Sequence, residues 1–275
     1  MRIDKVVLMG KEYKKLHALI ELLNEIYRDI EVQKIILSPH IDDAILSLGG
    51  SILKWIGEGL SVKVVNIFSR SLAYNGLFRI ANLEDETRLR KNEELDVIKE
   101  VGDIFEYWDF PATSSRRFGR WLKYLPVSLQ VRIPGNRTML KVIAKKLGQH
   151  LLSEQADVYL PIAHFPIAHI DHVLVRDAAL AVLRMREVQT NFWLYEDMPY
   201  CARDRSFMTA LQTNHAMSVL IPVSFDDKAR LARKYQSQVK ETWLDEMRLY
   251  HEQIEGERVW QLKQGFDTSC LGYSI

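Results

Sequence analysis

The segment KIILSPHIDDAILSLGG, residues 34–50, decides the fold class of this chain. Its first part, Lys34–Ser38, is an aliphatic run that predicts a short buried strand. From Ala44 to Trp55 the apolar residues return at helical spacing, so a helix follows the strand. A buried strand followed directly by a helix is the building unit of sheets with mainly parallel strands.

The same alternation of short apolar runs and longer amphipathic segments continues through the rest of the chain. It predicts an α/β fold with a mainly parallel sheet, followed after residue 246 by an irregular tail. The further predicted strands are Val62–Phe68, Ile104–Phe110, Val158–Pro161, Asn191–Tyr195 and Met217–Pro222. The further predicted helices are Leu83–Val101, Lys141–Leu152, His172–Leu183 and Asp226–Glu246.

The length of 275 residues fits one large α/β domain, and the sequence contains no internal repeat, low-complexity segment or linker. We therefore predict a single domain over residues 1–275, with an extra helix, Tyr13–Tyr27, in its first part. Residues 111–136 interrupt the alternation with basic and aromatic side chains among prolines and a glycine. This excursion is expected to line a pocket, and its basic patch, Arg116–Lys123, is either a solvated face or a site for a phosphate-bearing substrate.

The composition is that of a globular protein, with 47% hydrophobic and 27% charged residues. A net charge of +1 argues against nucleic-acid binding as the main function. No apolar run reaches the ~18 residues of a membrane span, and the charged start does not resemble a signal peptide. Two cysteines provide neither a disulfide framework nor a cysteine-based zinc site. We expect a soluble, cytoplasmic, globular protein.

The first polar motif is SPHIDD, residues 38–43, which directly follows the first predicted strand. In open α/β sheets ligands bind beyond the carboxyl ends of the strands, where His40 and the two aspartates would lie. Asp42 and Asp43 repel each other unless a cation, a hydrogen-bond network or open water compensates their charges. The alternative is that one of them caps the following helix, because Asp is a favoured residue there.

The second polar motif is HFPIAHIDH, residues 164–172, which follows the predicted strand Val158–Pro161. It contains three of the eight histidines of the chain. Imidazole suits zinc, and two histidines with one carboxylate leave a coordination position open for water. His164 lies outside the tight His-x-Asp-His part of the motif, so its role in the site stays open.

Together the two motifs resemble the signatures of the PIG-L (LmbE-like) family of metal-dependent N-deacetylases. That family commonly has His-Pro-Asp-Asp and His-Pro-Asp-His, whereas this chain has Ile41 and Ile170 at the proline positions, as one bacterial branch does. Further features resemble that branch, so the resemblance spans about residues 34–262 and implies a Rossmann-like three-layer α/β sandwich. These features are Arg90-x-x-Glu93, YEDMPY at residues 195–200, Tyr235-x-Ser237-Gln238 and Glu257-Arg258-x-Trp260.

The resemblance also implies a metal site and a substrate class. His40, Asp43 and His172 would bind the metal, with water at the open positions. Zinc is expected, and ferrous iron is the alternative because sites of this kind accept both. The reaction would remove an N-acyl group, acetyl in the first instance, from an amino sugar or a related metabolite.

Three further residues receive catalytic roles from the same resemblance. Asp42 would be the general base that takes a proton from the attacking water. His169, if protonated, would donate a hydrogen bond to the oxygen that develops negative charge, and either His169 or Asp42 would deliver a proton to the leaving amine. Asp171 would orient His169, or else cap the helix that begins near His172.

Arg90, Glu196 and Asp197 are predicted to contact the substrate or to shape its pocket. The alternative for Arg90 is a same-face pair with Glu93 on a solvated helix, and the alternative for the two acids is a structural role in their loop. Many relatives have an acidic residue where this chain has Ala112. If that alignment holds, a sugar-contacting carboxylate is missing here.

Other functions fit the motifs less well. His169-x-Asp171-His172 matches half of the metallo-β-lactamase motif, but Ile167 stands where the further histidine is needed, and that fold begins with β-hairpins. A catalytically silent protein that binds metal or sugar would not need Asp42, and structural zinc sites usually have four protein ligands. A hydrolase of another amide would use the same site and differ only in its substrate.

Overall fold

The computed structural model describes residues 32–72, 82–116, 125–150, 156–164, 168–185, 191–213 and 216–262. Gln33–Ile275 forms one compact unit, and Met1–Val32 forms a second unit. The helix predicted at Tyr13–Tyr27 lies outside the described residues, and the single domain predicted for residues 1–275 stays a prediction. None of the described helices is both long and apolar enough to cross a membrane.

The described residues form a seven-stranded sheet with helices on both faces, which confirms the predicted α/β class. The strands are β1 Gln33–Ser38, β2 Val62–Asn66, β3 Phe105–Tyr107, β4 Ala156–Pro161, β5 Asn191–Tyr195, β6 Met217–Ile221 and β7 Glu257–Gln261. Their order is β3-β2-β1-β4-β5-β7-β6, and the first five are parallel. β7 pairs antiparallel with both β5 and β6.

Helices connect these strands in the expected alternation. They are α1 Asp43–Gly57, α2 Leu83–Val101, α3 Val127–Gln130, α4 Pro134–His150, α5 Ile170–Met185, α6 Tyr200–Arg203, α7 Ser206–Thr213, α8 Phe225–Ala232 and α9 Glu241–Ile254. A short 3-10 turn, Thr113–Ser115, lies in the excursion that follows β3. Apolar side chains of β1, β4 and α1 are buried in the core between these layers.

The sheet changes its winding direction between β1 and β4, and the two polar motifs follow these two strands. From β1 the chain adds β2 and then β3 on one side, whereas β4 pairs with the other edge of β1. Connections that leave two such strands run to opposite sides of the sheet and open a crevice at the carboxyl ends of the strands. The fixed register of β1 and β4, in which Ile36 pairs with Tyr159, therefore brings the motifs to one place.

Several elements differ from the sequence-based expectation because tertiary contacts override local periodicity. The tail predicted to be irregular contains β7, which joins β5 to β6. The helix predicted over Asp226–Glu246 is two helices, α8 and α9, and Ser237 between them hydrogen-bonds to Glu93 on α2. α4 begins at Pro134, earlier than predicted, since proline is well suited to the first helical turn.

Candidate metal and catalytic site

Three histidines come together beyond the carboxyl ends of β1 and β4. His40 lies in the loop after β1, and His169 and His172 lie at the start of α5. Their ring centroids are separated by 5.2, 5.4 and 5.9 Å. One nitrogen of each ring lies within 4.8 Å of the others, so this group could hold a metal ion.

Asp43, the first residue of α1, lies between two of these histidines. Its Oδ2 atom is 3.0 Å from Nδ1 of His40 and 3.2 Å from Nε2 of His172. The backbone N–H of His40 donates to the same oxygen at 2.8 Å and fixes the carboxylate against the loop. The structure thus brings the three predicted ligand residues into contact.

A buried carboxylate holds each of these two histidines by its other nitrogen. Nε2 of His40 lies 3.1 Å from Oδ2 of Asp171, and Nδ1 of His172 lies 3.0 Å from Oδ2 of Asp197. Each of these histidines thus has a carboxylate at both ring nitrogens, Asp43 on one side and Asp171 or Asp197 on the other. With a cation beside Asp43, the far nitrogens would keep their protons on Asp171 and Asp197 and the near nitrogens would be free to bind the cation, which is the arrangement typical of metal-binding histidines.

The surroundings of His172 fit a cation. Its Nε2 atom is buried and has no hydrogen-bond partner among the described residues, although Asp43 lies close to it. Burial disfavours the charged ring, but the carboxylates of Asp43 and Asp197 outweigh burial and raise the pKa of His172 to about 10. The same two carboxylates would attract a metal cation to this position.

The charge balance of the site also suits a divalent cation. The carboxylates of the site are those of Asp42, Asp43, Asp171 and Asp197. Two guanidinium groups neutralise part of this charge, because Arg90 contacts Asp42 and Arg116 contacts Asp171. With neutral histidines, these described groups leave two negative charges, which one Zn²⁺ or Fe²⁺ ion would balance.

Asp42 contacts α2 and does not cap α1. Nη2 of Arg90 donates to Oδ1 of Asp42 at 2.6 Å, and both side chains are almost completely buried. Asp42 occupies the N-cap position of α1 without a side-chain capping hydrogen bond, and Oγ of Ser38 accepts from the N–H of Ala44 instead. The capping alternative thus fails for Asp42, and Arg90 binds the predicted general base.

Asp171 is held by the excursion at residues 111–136. Thr113 donates to it through its backbone N–H at 2.8 Å and its hydroxyl at 2.6 Å, and Arg116 forms an ion pair with it. Burial would raise the pKa of Asp171, but Arg116 and the hydrogen-bonded His40 outweigh burial and hold this pKa well below its usual range. Nδ1 of His169 is 3.8 Å from the carboxylate, which is in closer contact with His40, and the predicted role of Asp171 in orienting His169 stays a prediction.

His169 is the most exposed of the three rings. Burial lowers the pKa of His169 to about 4, and the nearby Asp171 offsets only part of this effect. At this pKa the ring is mainly neutral at pH 7, whereas the role predicted from the sequence needs the protonated form and stays a prediction. Its Nδ1 accepts from the backbone N–H of Asp171 at 3.2 Å, so the proton of the neutral ring lies on Nε2.

Glu196 and Asp197 are buried and bound by the protein itself. The carboxylate of Glu196 accepts hydrogen bonds from Tyr250, Arg258 and Trp260. Besides its contact with His172, the carboxylate of Asp197 accepts a hydrogen bond from the backbone N–H of Ala163 at 3.1 Å. These contacts support the structural alternative for both residues, and a direct substrate contact for either one stays a prediction.

Sequence reasoning missed Thr113 and Arg116 as partners of Asp171. A clue to Arg116 was present in the sequence, because it is the first basic residue of the patch Arg116–Lys123. No feature of the sequence marked Thr113. The rest of that patch lies outside the described residues, so its role as a phosphate site or a solvated face stays open. His164 contacts Ser206 at 2.8 Å and none of the other histidines of the site.

Together, the fold and the site define an α/β protein with a histidine and carboxylate cluster at the switch point of its sheet. A protein-family model described as PIG-L, GlcNAc-PI de-N-acetylase, matches residues 35–183, which is more than half of the chain. The chain belongs to the PIG-L family, a family of N-deacetylases. The match includes both polar motifs and confirms the resemblance seen in the sequence.

Solved structures share the fold at low sequence identity. The deacetylase of teicoplanin biosynthesis has a TM-score of 0.66 and 19% identity, with 85% of this chain and 100% of that chain covered. The N,N'-diacetylchitobiose deacetylase from Pyrococcus horikoshii has a TM-score of 0.52 and 18% identity, with coverages of 88% and 91%.

The same fold also occurs in an enzyme of another class. The 4-carboxy-2-hydroxymuconate hydratase from Pseudomonas putida has a TM-score of 0.58 and 14% identity, with 84% of this chain and 96% of that chain covered. At such identities these likenesses establish the fold alone. No curated protein sequence matches the chain.

Proposed function

We propose that this chain is a metal-dependent N-deacetylase that removes an acyl group, in the first instance acetyl, from an amino sugar or a related N-acylated metabolite. The observation that carries the proposal is the pair of carboxylate-held histidines, His40 and His172, whose other nitrogens meet Asp43. Family membership supports hydrolysis of an N-acetyl group. The chitobiose and teicoplanin deacetylases, which share the fold, support a sugar-containing substrate.

His40, Asp43 and His172 are the residues that would hold the metal. Zinc is the ion we propose, and ferrous iron is the alternative because imidazole and carboxylate ligands suit both. A bound divalent ion would lower the pKa of a water molecule and polarise the amide carbonyl. We assign His169 to catalysis and not to metal binding, because the backbone of Asp171 occupies its Nδ1 atom and its Nε2 atom carries the proton.

Asp42 is the proposed general base. Arg90 contacts only its Oδ1 atom, and among the described residues no donor contacts Oδ2, which stays available to accept a proton from the attacking water. The guanidinium group of Arg90 fixes the orientation of the carboxylate through a charge-assisted hydrogen bond. Arg90 therefore acts on the reaction by positioning the base.

His169 is the proposed donor to the carbonyl oxygen as charge develops there. A neutral imidazole still donates one hydrogen bond, and this ring offers its Nε2 proton from the most exposed position of the cluster. Asp42, once protonated, is placed to return its proton to the leaving amine. The carbonyl oxygen and the leaving amine of the amide thus each have a donor in the chain, His169 and Asp42 respectively.

We expect the substrate pocket to differ from that of many relatives at Ala112, where the resemblance places an acidic residue in those relatives. This side chain is buried, and its backbone N–H donates to the carbonyl oxygen of Arg70 at 2.8 Å. No carboxylate stands at this position, so we propose that the sugar is recognised by other groups of the excursion. A silent metal-binding or sugar-binding protein is the alternative function, and Asp42 distinguishes the two, because only an enzyme needs a base.

The experiment that tests the proposal is an Asp42→Asn substitution, which keeps an acceptor for Arg90 but removes the base. Release of free amine from N-acetylglucosamine and N,N'-diacetylchitobiose would be measured with zinc or iron present. We expect kcat to fall by about 10²- to 10⁴-fold while the metal content stays unchanged.

Asp157→Asn is the matched control, because Asp157 is also a buried aspartate in an ion pair, with Lys34 at 2.5 Å. Asp157 lies on β4, apart from the histidines, so this variant should keep its activity. Full activity of Asp42→Asn would show that Asp42 is not the base and would overturn this mechanism.

A further inference from the structure

The two proposed ligands Asp43 and His172 belong to different elements, and one hydrogen bond links the supports of both. Oγ of Ser47 accepts the backbone N–H of Met198 at 3.1 Å, and both residues are buried. Ser47 lies one helical turn after Asp43 on α1. Met198 directly follows Asp197, which holds Nδ1 of His172.

These contacts form a closed loop around the metal site. Asp43 contacts His172, His172 contacts Asp197, and the chain then leads through Met198 and its hydrogen bond back to Ser47. The helical turn from Ser47 to Asp43 closes the loop. All five residues are buried, so water does not easily replace the Ser47 hydrogen bond.

The position of Ser47 along α1 is itself fixed. The helix is irregular at Leu48, whose φ of −126° and ψ of 19° break the regular hydrogen bonding. Nζ of Lys228 donates to the freed carbonyl oxygen of Ser47 at 3.0 Å. After the irregular residue, the carboxylate of Glu257 accepts hydrogen bonds from the backbone N–H groups of Gly50 and Ser51 at 3.0 and 2.8 Å.

Gly50 allows this arrangement to pack closely. A Cβ atom at this residue would lie 2.7 Å from Cγ2 of Val223, a distance that real contacts do not reach. The first part of α1 is therefore anchored at Ser47, both through its carbonyl group and through its hydroxyl group. Of these two groups, the hydroxyl is the one that connects α1 to the segment that supports His172.

From this arrangement we infer that the Ser47 hydroxyl is a positioning group of the metal site, which sets the distance between Asp43 and His172. The inference rests on the proposed function, since it assumes that these residues bind a metal. It predicts that loss of the hydroxyl weakens metal binding although Ser47 contacts no ligand atom. Outer groups that orient metal ligands typically change metal affinity by about 10- to 100-fold when removed.

The test compares Ser47→Ala with Ser51→Ala. Ser51 lies one turn further along the same helix, is equally buried, and donates its hydroxyl to Glu257 at 2.5 Å. Each variant thus loses one buried hydroxyl of α1, but only Ser47→Ala loses the link to Met198. Zinc affinity would be measured on the full chain by competition with a chromophoric chelator, and the unfolding of the metal-free variants would be measured alongside.

We expect Ser47→Ala to weaken zinc binding about tenfold and Ser51→Ala to change it less than about twofold. Equal affinities of Ser47→Ala and the unmodified chain would overturn the inference, and so would an equal loss in both variants, which would indicate a general packing effect. If the unmodified chain binds no zinc or ferrous iron, the proposed metal site fails, and the inference fails with it.

A measurement on the unmodified chain covers the case in which Ser47→Ala does not fold. Coupling between two sites is reciprocal, so a hydrogen bond that strengthens metal binding is itself strengthened when metal binds. With ¹⁵N-labelled methionine, we expect zinc to slow hydrogen exchange of the Met198 amide at least about tenfold. An exchange rate that zinc leaves unchanged would contradict the positioning role.

Discussion

The candidate site contains two histidines that are each held by a buried carboxylate, and the two pairs differ in their surroundings. We call the first the inner wall, His172 with Asp197, and the second the outer wall, His40 with Asp171. In both walls a carboxylate holds the far nitrogen of a histidine. The His172 side chain is 1% exposed, whereas that of His40 is 15% exposed.

The carboxylates of the two walls also differ in charge compensation. Asp171 is paired with Arg116, which offsets its charge, and it accepts two further hydrogen bonds from Thr113. The described groups that contact Asp197, apart from His172, are the uncharged backbone N–H of Ala163 and the thiol of Cys201. No charged group among these contacts therefore weakens the interaction of Asp197 with His172. We therefore expect the inner wall to contribute more to the affinity for the proposed metal and the outer wall mainly to orient His40.

The largest expected effect is the loss of the inner ligand. His172→Ala removes a proposed ligand and leaves Asp43 and Asp197 buried without the ring between them, so we expect metal content to fall to background. Elemental analysis after dialysis against zinc measures this. His164→Ala is the matched control, because His164 is a partly buried histidine that hydrogen-bonds to Ser206 and contacts none of the proposed ligands. Unchanged metal content in His172→Ala would discard the ligand set.

A smaller effect separates the two walls directly. Asn in place of either aspartate keeps the shape of the side chain but removes its charge and no longer requires the proton on the same ring nitrogen. We expect zinc affinity to fall about 100-fold in Asp197→Asn and about tenfold in Asp171→Asn, because Arg116 already offsets the charge of Asp171. Chelator competition on the two variants measures both values. An equal loss, or a larger loss in Asp171→Asn, would contradict the difference between the walls.

The prediction with the smallest expected effect on metal binding concerns Glu94 on α2, which belongs to neither wall, and it separates pH effects of the scaffold from those of the metal site. Burial raises the pKa of Glu94 from 4.5 to about 7, and hydrogen bonds from Tyr107, Asn66 and Tyr235 offset part of this. A raised pKa in the folded state means that Glu94 stabilises the fold most below pH 4.5 and that this stabilisation is lost as the pH rises through 7.

Glu94→Gln should therefore show a flatter dependence of stability on pH than the unmodified chain. The difference between the two proteins should change by up to about 3 kcal/mol between pH 4.5 and 7.5. Denaturant unfolding of the metal-free proteins across this range measures it, and Glu246→Gln, an exposed site paired with Arg203, provides the control. Parallel curves for Glu94→Gln and the unmodified chain would show that Glu94 does not titrate there.

The parts of the fold that the sequence predicted correctly are those decided by local pattern. Strands such as Asn191–Tyr195 and the helix Leu83–Val101 match the structure because their apolar spacing and stop signals lie within each segment. The meeting of the two polar motifs also follows from the sequence, since parallel strands bring their carboxyl ends together. β7 was missed because its partners β5 and β6 are distant in the sequence, so its pairing leaves no local pattern.

The partners within the site were the least predictable part. Arg116 and Asp171 are 55 residues apart, and the direction of the Asp171 carboxylate towards His40 depends on Thr113, which no motif marks. The partner of Asp197 was equally hard to predict. Its position after a strand suggested a role in the pocket wall, but the turn after β5 places its carboxylate against His172. Such choices depend on how loops pack in three dimensions, and spacing within one segment does not encode them.

The most direct test of the central claim is the metal content of the purified protein, measured together with amine release from N-acetylglucosamine conjugates, with and without a chelator. We expect about one zinc or ferrous ion per chain and amine release that the chelator abolishes. Metal without amine release would retain the site and indicate another acyl compound as the substrate. A chain that binds no metal under metal-replete conditions and releases no amine would contradict the account.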